Sequence, residues 1–308
     1  MTLSTSHKIV IITGANKGLG FEAVKRFLAS DNKYHIFLGS RDLAKGQKAV
    51  QKALGEVPSD KSTVEALQYD VESDESIQEA YETVRSRVDR VDVLINNAGE
   101  LRHKNQNQNQ NQKKQQQPFV LCTMLTSNYM ADGSGVMLDQ QIERGNMSTR
   151  EAFNRSWDVN VAGAHITTST FLPLLLKSPD PRVVFNTSGV SSLAHAADPC
   201  HFTYRAPPAG VPKPAGTVSY RASKAGLNMV MLEWARMLRD DGVKVWAVAP
   251  GFFATDIGEG DPGAMRKMGA GDPAVGGEAL VDVVEGRRDG DVGRVCNMAP
   301  YGVKVQAW

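Results

Sequence analysis

Cysteine is scarce in this chain: Cys122, Cys200 and Cys296 are the only three among 308 residues, scattered and odd in number. No CxxC pair or metal-ligand spacing links them, which excludes a disulfide scaffold and points to thiols in a reducing compartment. The six histidines form no HxxxH and no His/Cys cluster, so the sequence offers no metal site. Net charge is nearly absent as well: 35 Lys and Arg oppose 34 Asp and Glu, leaving +1. That balance argues against nucleic acid as a partner, because a phosphate backbone demands a basic face. Long hydrophobic runs are also missing. The longest, around residues 171–176, is far short of the roughly 20 residues needed to cross a bilayer. The polar residues 1–8 carry no signal-peptide core. A cytoplasmic protein with no membrane attachment is expected.

What is present is the composition of a globular chain, 41% hydrophobic and 22% charged. At this length one large domain with insertions can bury a core without staples. Residues 8–14, 35–40, 62–70, 91–99, 182–189, 244–251 and 294–298 read as strands. Residues 17–28, 43–54, 73–88, 149–177, 220–239 and 272–286 read as helices. This alternation predicts an α/β fold over residues 1–308: a single Rossmann-type, doubly wound parallel sheet of about seven strands with helices on both faces. The run Val91-Asp92-Val93-Leu94-Ile95, nearly all apolar, suits a strand buried on both sides. Pro173 is expected to kink or end the long 149–177 helix near Leu172.

Two stretches break the rhythm. Residues 101–117 alternate Asn and Gln and end in poly-Gln, a composition that cannot bury apolar surface. Together with the aperiodic residues after it, this marks a low-complexity, disordered insertion over 101–138, or else untrimmed intron sequence; removing residues 101–137 is expected to keep or raise activity. Residues 194–217, with Pro199, Pro207, Pro208, Pro212 and Pro214, read as a second insertion, a loop lying over a pocket. His195 and His201 read as exposed histidines of that loop.

Gly14, Gly18 and Gly20, in Thr13-Gly14-Ala15-Asn16-Lys17-Gly18-Leu19-Gly20, follow the first strand and open the first helix. The first suits a tight turn and the later two let backbone approach a pyrophosphate. The helix N-terminus then offers free N–H groups and a positive dipole end. Gly14, Asn16, Lys17, Gly18, Leu19 and Gly20 are therefore candidate cofactor contacts, with GxxxGxG spacing. The only YxxxK in the chain is Tyr220-Arg221-Ala222-Ser223-Lys224, at the start of a helix. At i and i+4 the phenol and ammonium share one face. A cation there favours the phenolate and draws the phenol pKa toward neutrality, so Tyr220 is a candidate proton donor to a carbonyl oxygen. The second strand ends at Ser40-Arg41. An aspartate at that edge would hold a ribose and repel a 2′-phosphate. Arg41 instead offers a guanidinium fork, and Lys17 adds a second cation, so NADP(H) is the expected cofactor. The alternative is that Arg41 is a solvated side chain paired with Asp42 or Asp70.

Taken in order with Asn96-Asn97-Ala98-Gly99, Ser188 and Pro250-Gly251-Phe252-Phe253-Ala254-Thr255, these strings resemble the short-chain dehydrogenase/reductase family over residues 8–256, most of all its carbonyl-reductase-type members. The resemblance implies that Ser188 hydrogen-bonds the substrate carbonyl, with Ser191 and Ser192 as neighbouring rivals. It implies that Lys224 also holds the nicotinamide ribose. Asn160, in Trp157-Asp158-Val159-Asn160-Val161, would support a water-linked proton relay. Asp70 and Val71 would contact adenine, and Asn97, Ala98 and Gly99 would line the adenine-ribose side. Pro250, Gly251 and Thr255 would flank the nicotinamide amide. The implied activity is reversible reduction of a ketone or aldehyde, a small-molecule carbonyl. Many relatives pair through the helices carrying Asn160 and Tyr220, so a homo-oligomer is possible. A catalytically silent NADP(H)-binding sensor is the alternative, and the complete Asn, Ser, Tyr and Lys set argues against it. An epimerase or dehydratase relative would carry GxxGxxG and a sizeable C-terminal substrate domain, and neither is present.

Overall fold

The computed structural model describes residues 6–99, 138–139, 141–201, 206–211, 213, 216–255, 262–267, 269–297 and 304–308. The Asn/Gln-rich stretch lies outside the described residues. Among those described, seven strands form one sheet: β1 (Lys8–Ile12), β2 (Tyr34–Ser40), β3 (Thr63–Gln68), β4 (Val93–Asn96), β5 (Arg182–Asn186), β6 (Lys244–Ala249) and β7 (Val295–Asn297). Their order is β3-β2-β1-β4-β5-β6-β7, and every neighbouring pair is parallel. Parallel neighbours need crossovers, which helices supply. These are α1 (Gly18–Ala29), α2 (Leu43–Glu56), α3 (Asp74–Arg85), α4 (Thr149–Trp157), α5 (Gly163–Leu175), α6 (Leu193–Ala197), α7 (Val218–Met237), α8 (Pro262–Lys267) and α9 (Pro273–Val284).

Side chains alternate across a strand, so each strand feeds two cores. Ile9 and Ile11 of β1 join Phe37, Leu94, Val183 and Phe185 against α3, α5 and α7. Val10 and Ile12 join Val93, Ile95, Val184 and Trp246 against α1, α2 and α9. The doubly wound sheet expected from the sequence is the one the chain forms. Strand order reverses between β1 and β4, so the loops leaving these two strands diverge and open a crevice at their carboxyl ends.

Local differences from the sequence reading have physical causes. The strand expected over 91–99 contracts to β4 because side chains intercept backbone groups at both ends: the buried Asp92 carboxylate accepts the Ile9 N–H at 2.8 Å, Arg90 Nε at 2.8 Å and the Ser178 hydroxyl at 2.6 Å, and the Thr13 hydroxyl takes the Asn97 and Ala98 N–H groups. Pro173 does not end its helix near Leu172; α5 continues to Leu175. The proline sits in the last turn, where it removes the one bond its N–H would make to the Ser169 carbonyl, and the burial of Phe171, Leu174 and Leu175 in the core offsets that loss. The long helix is interrupted elsewhere, by a π turn at Asp158–Ala162 that separates α4 from α5. Residues 194–217 are not loop throughout. They overlap α6, whose N-cap Ser192 accepts the His195 N–H at 3.0 Å. Leu138, placed in the insertion by its sequence neighbours, packs against Ile142, Met147 and Ala152. Among the described residues no helix is long and apolar enough to cross a membrane, and no group of three His, Cys, Asp or Glu is arranged to hold a metal ion.

Candidate active site

The glycine turn leaves β1 at Thr13, whose hydroxyl accepts the backbone N–H groups of Asn97 and Ala98 at 3.0 and 2.9 Å. Gly14 adopts φ 61°, and a Cβ there would stand 2.9 Å from the Ala98 Cα, so both conformation and space require glycine. The N-cap of α1, Lys17, makes no side-chain capping bond, and no acid occupies the first turn. An uncapped helix N-terminus with no negative charge of its own suits an anion. Gly18, Leu19 and Gly20 are buried, and Asn16 and Lys17 are half-buried. Packing gives Gly20 a second reason to be glycine. A Cβ on Gly20 would lie 2.5 Å from Asn97 Nδ2 and 2.9 Å from the Ala15 Cα, so this glycine admits the Asn97 side chain beneath the turn.

Asn97 connects the turn to the tyrosine helix. Its Nδ2 donates to the carbonyls of Thr13 and Gly14 at 2.9 and 3.1 Å. Its Oδ1 accepts from Asn186 Nδ2 at 3.0 Å, and the Asn186 carbonyl accepts from Lys224 Nζ at 2.8 Å. Lys224 and Tyr220 are both buried on α7, with the ammonium 5.9 Å from the phenol ring centroid. Thus Gly14, Asn97, Asn186, Lys224 and Tyr220 belong to one contiguous arrangement above β1, β4 and β5.

Ser188 follows β5 and is buried; its hydroxyl accepts the Val190 N–H at 3.5 Å. Its two rivals are committed elsewhere. Ser191 Oγ donates to the Ser188 carbonyl at 2.6 Å, and Ser192 caps α6. Asn160 lies in the π turn, where Nδ2 donates to Ser223 Oγ at 3.0 Å, and Ser223 Oγ donates to the Tyr220 carbonyl at 2.9 Å. Asn160 Oδ1 is buried and has no partner among the described residues.

At the other end of the crevice Arg41 is exposed, with Nη1 3.7 Å from Glu72 Oε2, and Glu72 also faces Arg155 at 3.7 Å. Arg41 is thus paired with neither Asp42 nor Asp70: Asp42 caps α2 through the Lys45 N–H at 3.1 Å, and Asp70 accepts the Glu72 N–H at 3.2 Å. Burial pushes the Glu72 carboxyl up. Val71 packs on the α3–α5 core. Pro250 and Gly251 follow β6, Gly251 at φ 119°, and Thr255 is buried with a hydroxyl that has no partner among the described residues. His195 and His201 stack with ring centroids 4.1 Å apart, and partial burial lowers the His195 pKa.

The family model for short chain dehydrogenases matches residues 8–138 and 206–262, more than half of the chain. The chain belongs to the short-chain dehydrogenase family. Among the relatives of this short-chain dehydrogenase is the short-chain dehydrogenase/reductase tropE of Talaromyces stipitatus, 40% identical over 94% of each chain. Another is the short-chain dehydrogenase/reductase eupG of a Phoma species, 38% identical over 91% of each. In fold it is similar to an NADPH-bound carbonyl reductase from chicken fatty liver, with a TM-score of 0.64 and 23% identity over 98% of this chain and 99% of that one. It is likewise similar to a 3-ketoacyl-(acyl-carrier-protein) reductase from Brucella melitensis complexed with NADH, with a TM-score of 0.61 and 21% identity over 96% and 97%.

Several residues of this short-chain dehydrogenase that brace the site escape a motif reading. Thr187 Oγ1 donates to Asn228 Oδ1 at 2.6 Å, Asn228 Nδ2 to Ser191 Oγ at 2.9 Å, and Gln306 Nε2 to the same oxygen at 3.0 Å. Asn186 and Asn228 each carry one sequence hint, an amide on a stretch otherwise filled with apolar or small residues. Gln306 carries none.

Proposed function

We propose that the chain is a cytoplasmic, NADPH-dependent reductase of ketones or aldehydes, reversible toward alcohol oxidation. The observation that carries this reading is the run of hydrogen bonds from Gly14 through Asn97 and Asn186 to Lys224, which ties an anion-binding turn to the Tyr220 helix. The fit of a dinucleotide is supported by the acid-free, uncapped N-terminus of α1, by the Gly14 cradle a Cβ would fill, and by the orphaned Thr255 hydroxyl. Gly14, Asn16, Lys17, Gly18, Leu19 and Gly20 would hold the pyrophosphate, and Gly20 also seats Asn97. Arg41 would hold the 2′-phosphate and Asp70 and Val71 the adenine. Asn97, Ala98 and Gly99 would line the adenine-ribose side, with Pro250, Gly251 and Thr255 at the nicotinamide amide. When bound, the nicotinamide supplies a hydride to the carbonyl carbon.

In this reading Tyr220 gives its hydroxyl proton to the carbonyl oxygen. Ser188 donates a second hydrogen bond to that oxygen and polarises it. The Lys224 ammonium stabilises the tyrosinate left behind and holds the ribose hydroxyls. Asn160, anchored on Ser223, supports the relay that returns a proton to Tyr220. A second copy of the chain is the partner expected on α4 and α7, where Trp157, Met229 and Met237 are 47%, 59% and 46% exposed.

A panel of ketones and aldehydes followed by loss of NADPH absorbance tests the activity. Tyr220→Phe is expected to keep cofactor affinity and lose turnover by about 10²–10⁴-fold, the usual worth of a positioned acid. NADPH binding without consumption across the panel refutes the reading, as does a Tyr220→Phe variant as active as its parent.

A further inference from the structure

Helix α7, which carries Tyr220 and Lys224, begins without a cap of its own. Its N-cap, Thr217, makes no side-chain capping bond. The first four N–H groups of a helix need acceptors from outside it, and Tyr220 is the third residue of α7. The acceptor comes from 80 residues earlier in the chain. Asp139 Oδ1 accepts the Ser219 N–H at 3.2 Å and Oδ2 the Tyr220 N–H at 3.3 Å.

Asp139 is 1% exposed, a costly place for a carboxylate unless donors converge on it. Here two backbone amides and the Ser219 hydroxyl do so. Burial, with a smaller push from Glu143, holds its carboxyl above the usual range. The residue is anchored by its neighbours: Leu138 and Ile142 pack with Met147 and Ala152 in a satellite core against α4. Glu143 accepts the Gly216 N–H at 3.4 Å, just ahead of α7, and Ser219 Oγ meets Ser156 Oγ of α4 at 3.2 Å. The first turn of α7 is therefore held by side chains that are not its own.

We propose that Asp139 is a positioning residue for the reaction: by gripping the amides of Ser219 and Tyr220 it fixes the first turn of α7 and with it the phenol. This rests on the reading of Tyr220 as proton donor. Position follows because the phenol has only two side-chain torsions beyond a backbone that Asp139 pins. Charge follows too. Asp139 Oδ2 reaches the Tyr220 amide at 3.3 Å and the Lys224 ammonium lies 5.9 Å from the ring centroid, so anion and ammonium act on the phenol in opposite senses. The placement also bounds the insertion: a deletion that runs past residue 137 removes Leu138 and then the cap itself.

The test compares Asp139→Asn and Asp139→Ala with the parent and with Tyr220→Phe. NADPH affinity, kcat on the best carbonyl of the panel, and the phenolate absorbance of Tyr220 are measured; the last is the parent spectrum minus that of Tyr220→Phe across pH. Asp139→Ala is expected to lower kcat by about 10–100-fold, the penalty of a catalytic group misplaced by around 1 Å, with NADPH affinity nearly unchanged. Asp139→Asn keeps one acceptor oxygen and is expected to recover most of the rate. Having lost the anion, it should also ionise Tyr220 at lower pH than the parent. A cap of purely structural value would lower Tm while leaving kcat and the phenolate titration of the folded protein in place, and that result overturns the proposal. So does Asp139→Ala with the parent's kcat. If the alanine variant does not fold, the asparagine titration decides. A fully active Tyr220→Phe would instead remove the reading on which the proposal stands, whatever Asp139 does.

Discussion

Exchanging Arg41 for aspartate should invert the preference between NADPH and NADH. Arg41 directly follows β2, its carbonyl fixed by Gln68 Nε2 at 2.8 Å, while its guanidinium, 47% exposed, leans on Glu72 at 3.7 Å. A unit charge pair 4 Å apart is worth about 1 kcal/mol in bulk water and about 4 kcal/mol at the effective dielectric near a protein surface. A guanidinium almost half in solvent belongs toward the lower end, about 1–2 kcal/mol. At 1.4 kcal/mol per decade, Arg41→Ala should weaken NADPH by roughly 5–30-fold and leave NADH within about twofold. Arg41→Asp turns attraction into repulsion and should widen the loss to about 100-fold or more by the same arithmetic. Glu72→Gln removes the carboxylate that competes for the guanidinium and should tighten NADPH modestly. Because the pair is exposed, the parent's preference should shrink as ionic strength rises. Titration calorimetry with both dinucleotides at two salt concentrations reads all of this. A parent that binds NADH as tightly as NADPH, or an alanine variant that weakens both equally, would refute the assignment.

Two further outcomes follow from the geometry. Gly20→Ala drives a methyl into Asn97 and Ala15, an overpacking expected to cost about 1–3 kcal/mol; differential scanning fluorimetry should find a lower Tm together with weaker NADPH binding, and unchanged values would contradict the packing account. Burial lowers the His35 pKa from 6.5 to about 4, although Glu65 lies 2.9 Å away with its second oxygen engaged by Arg87. The unfolded chain then takes up a proton below about pH 6.5 that the native state refuses until about pH 4. Stability should fall across that window by no more than about 3.5 kcal/mol, since each tenfold loss of proton affinity on folding costs about 1.4 kcal/mol. Urea unfolding at pH 7.5 and 4.5 should give a smaller pH effect in His35→Gln than in the parent, and equal effects would exclude His35 as the cause.

The inner strands of the sheet could be read from the chain because a strand buried on both faces must be largely apolar, whereas the edge strand β3, Thr63–Gln68, mixes polar and apolar residues and is only partly buried. Element edges were harder, since they depend on side chains that intercept backbone groups. Asp92 ends the pairing of β4 by taking the Ile9 amide, and nothing in Val91-Asp92-Val93 announces that. The glycine turn and the Tyr–Lys pair stand out because each keeps a fixed spacing within one element, whereas Ser188 came from the family resemblance alone. The second ring of partners was not. Asn97 with Gly20, Gln306 with Ser191, and Asp139 with α7 meet only after distant segments fold together. Pro173 misled for a related reason: a proline breaks a helix in midcourse, but its cost in the last turn is outweighed by the core packing around it.

The π turn at Asp158–Ala162 carries one residue more than a regular helix would need to join α4 to α5. Five residues bonded i→i+5 turn through about the same angle as four in an α-helix, so a single-residue deletion there would relax into regular helix and leave Phe171, Leu174 and Leu175 on the sheet. The loss would fall on Asn160, which the turn presents to Ser223. A deletion scan would then spare the core and strike the site.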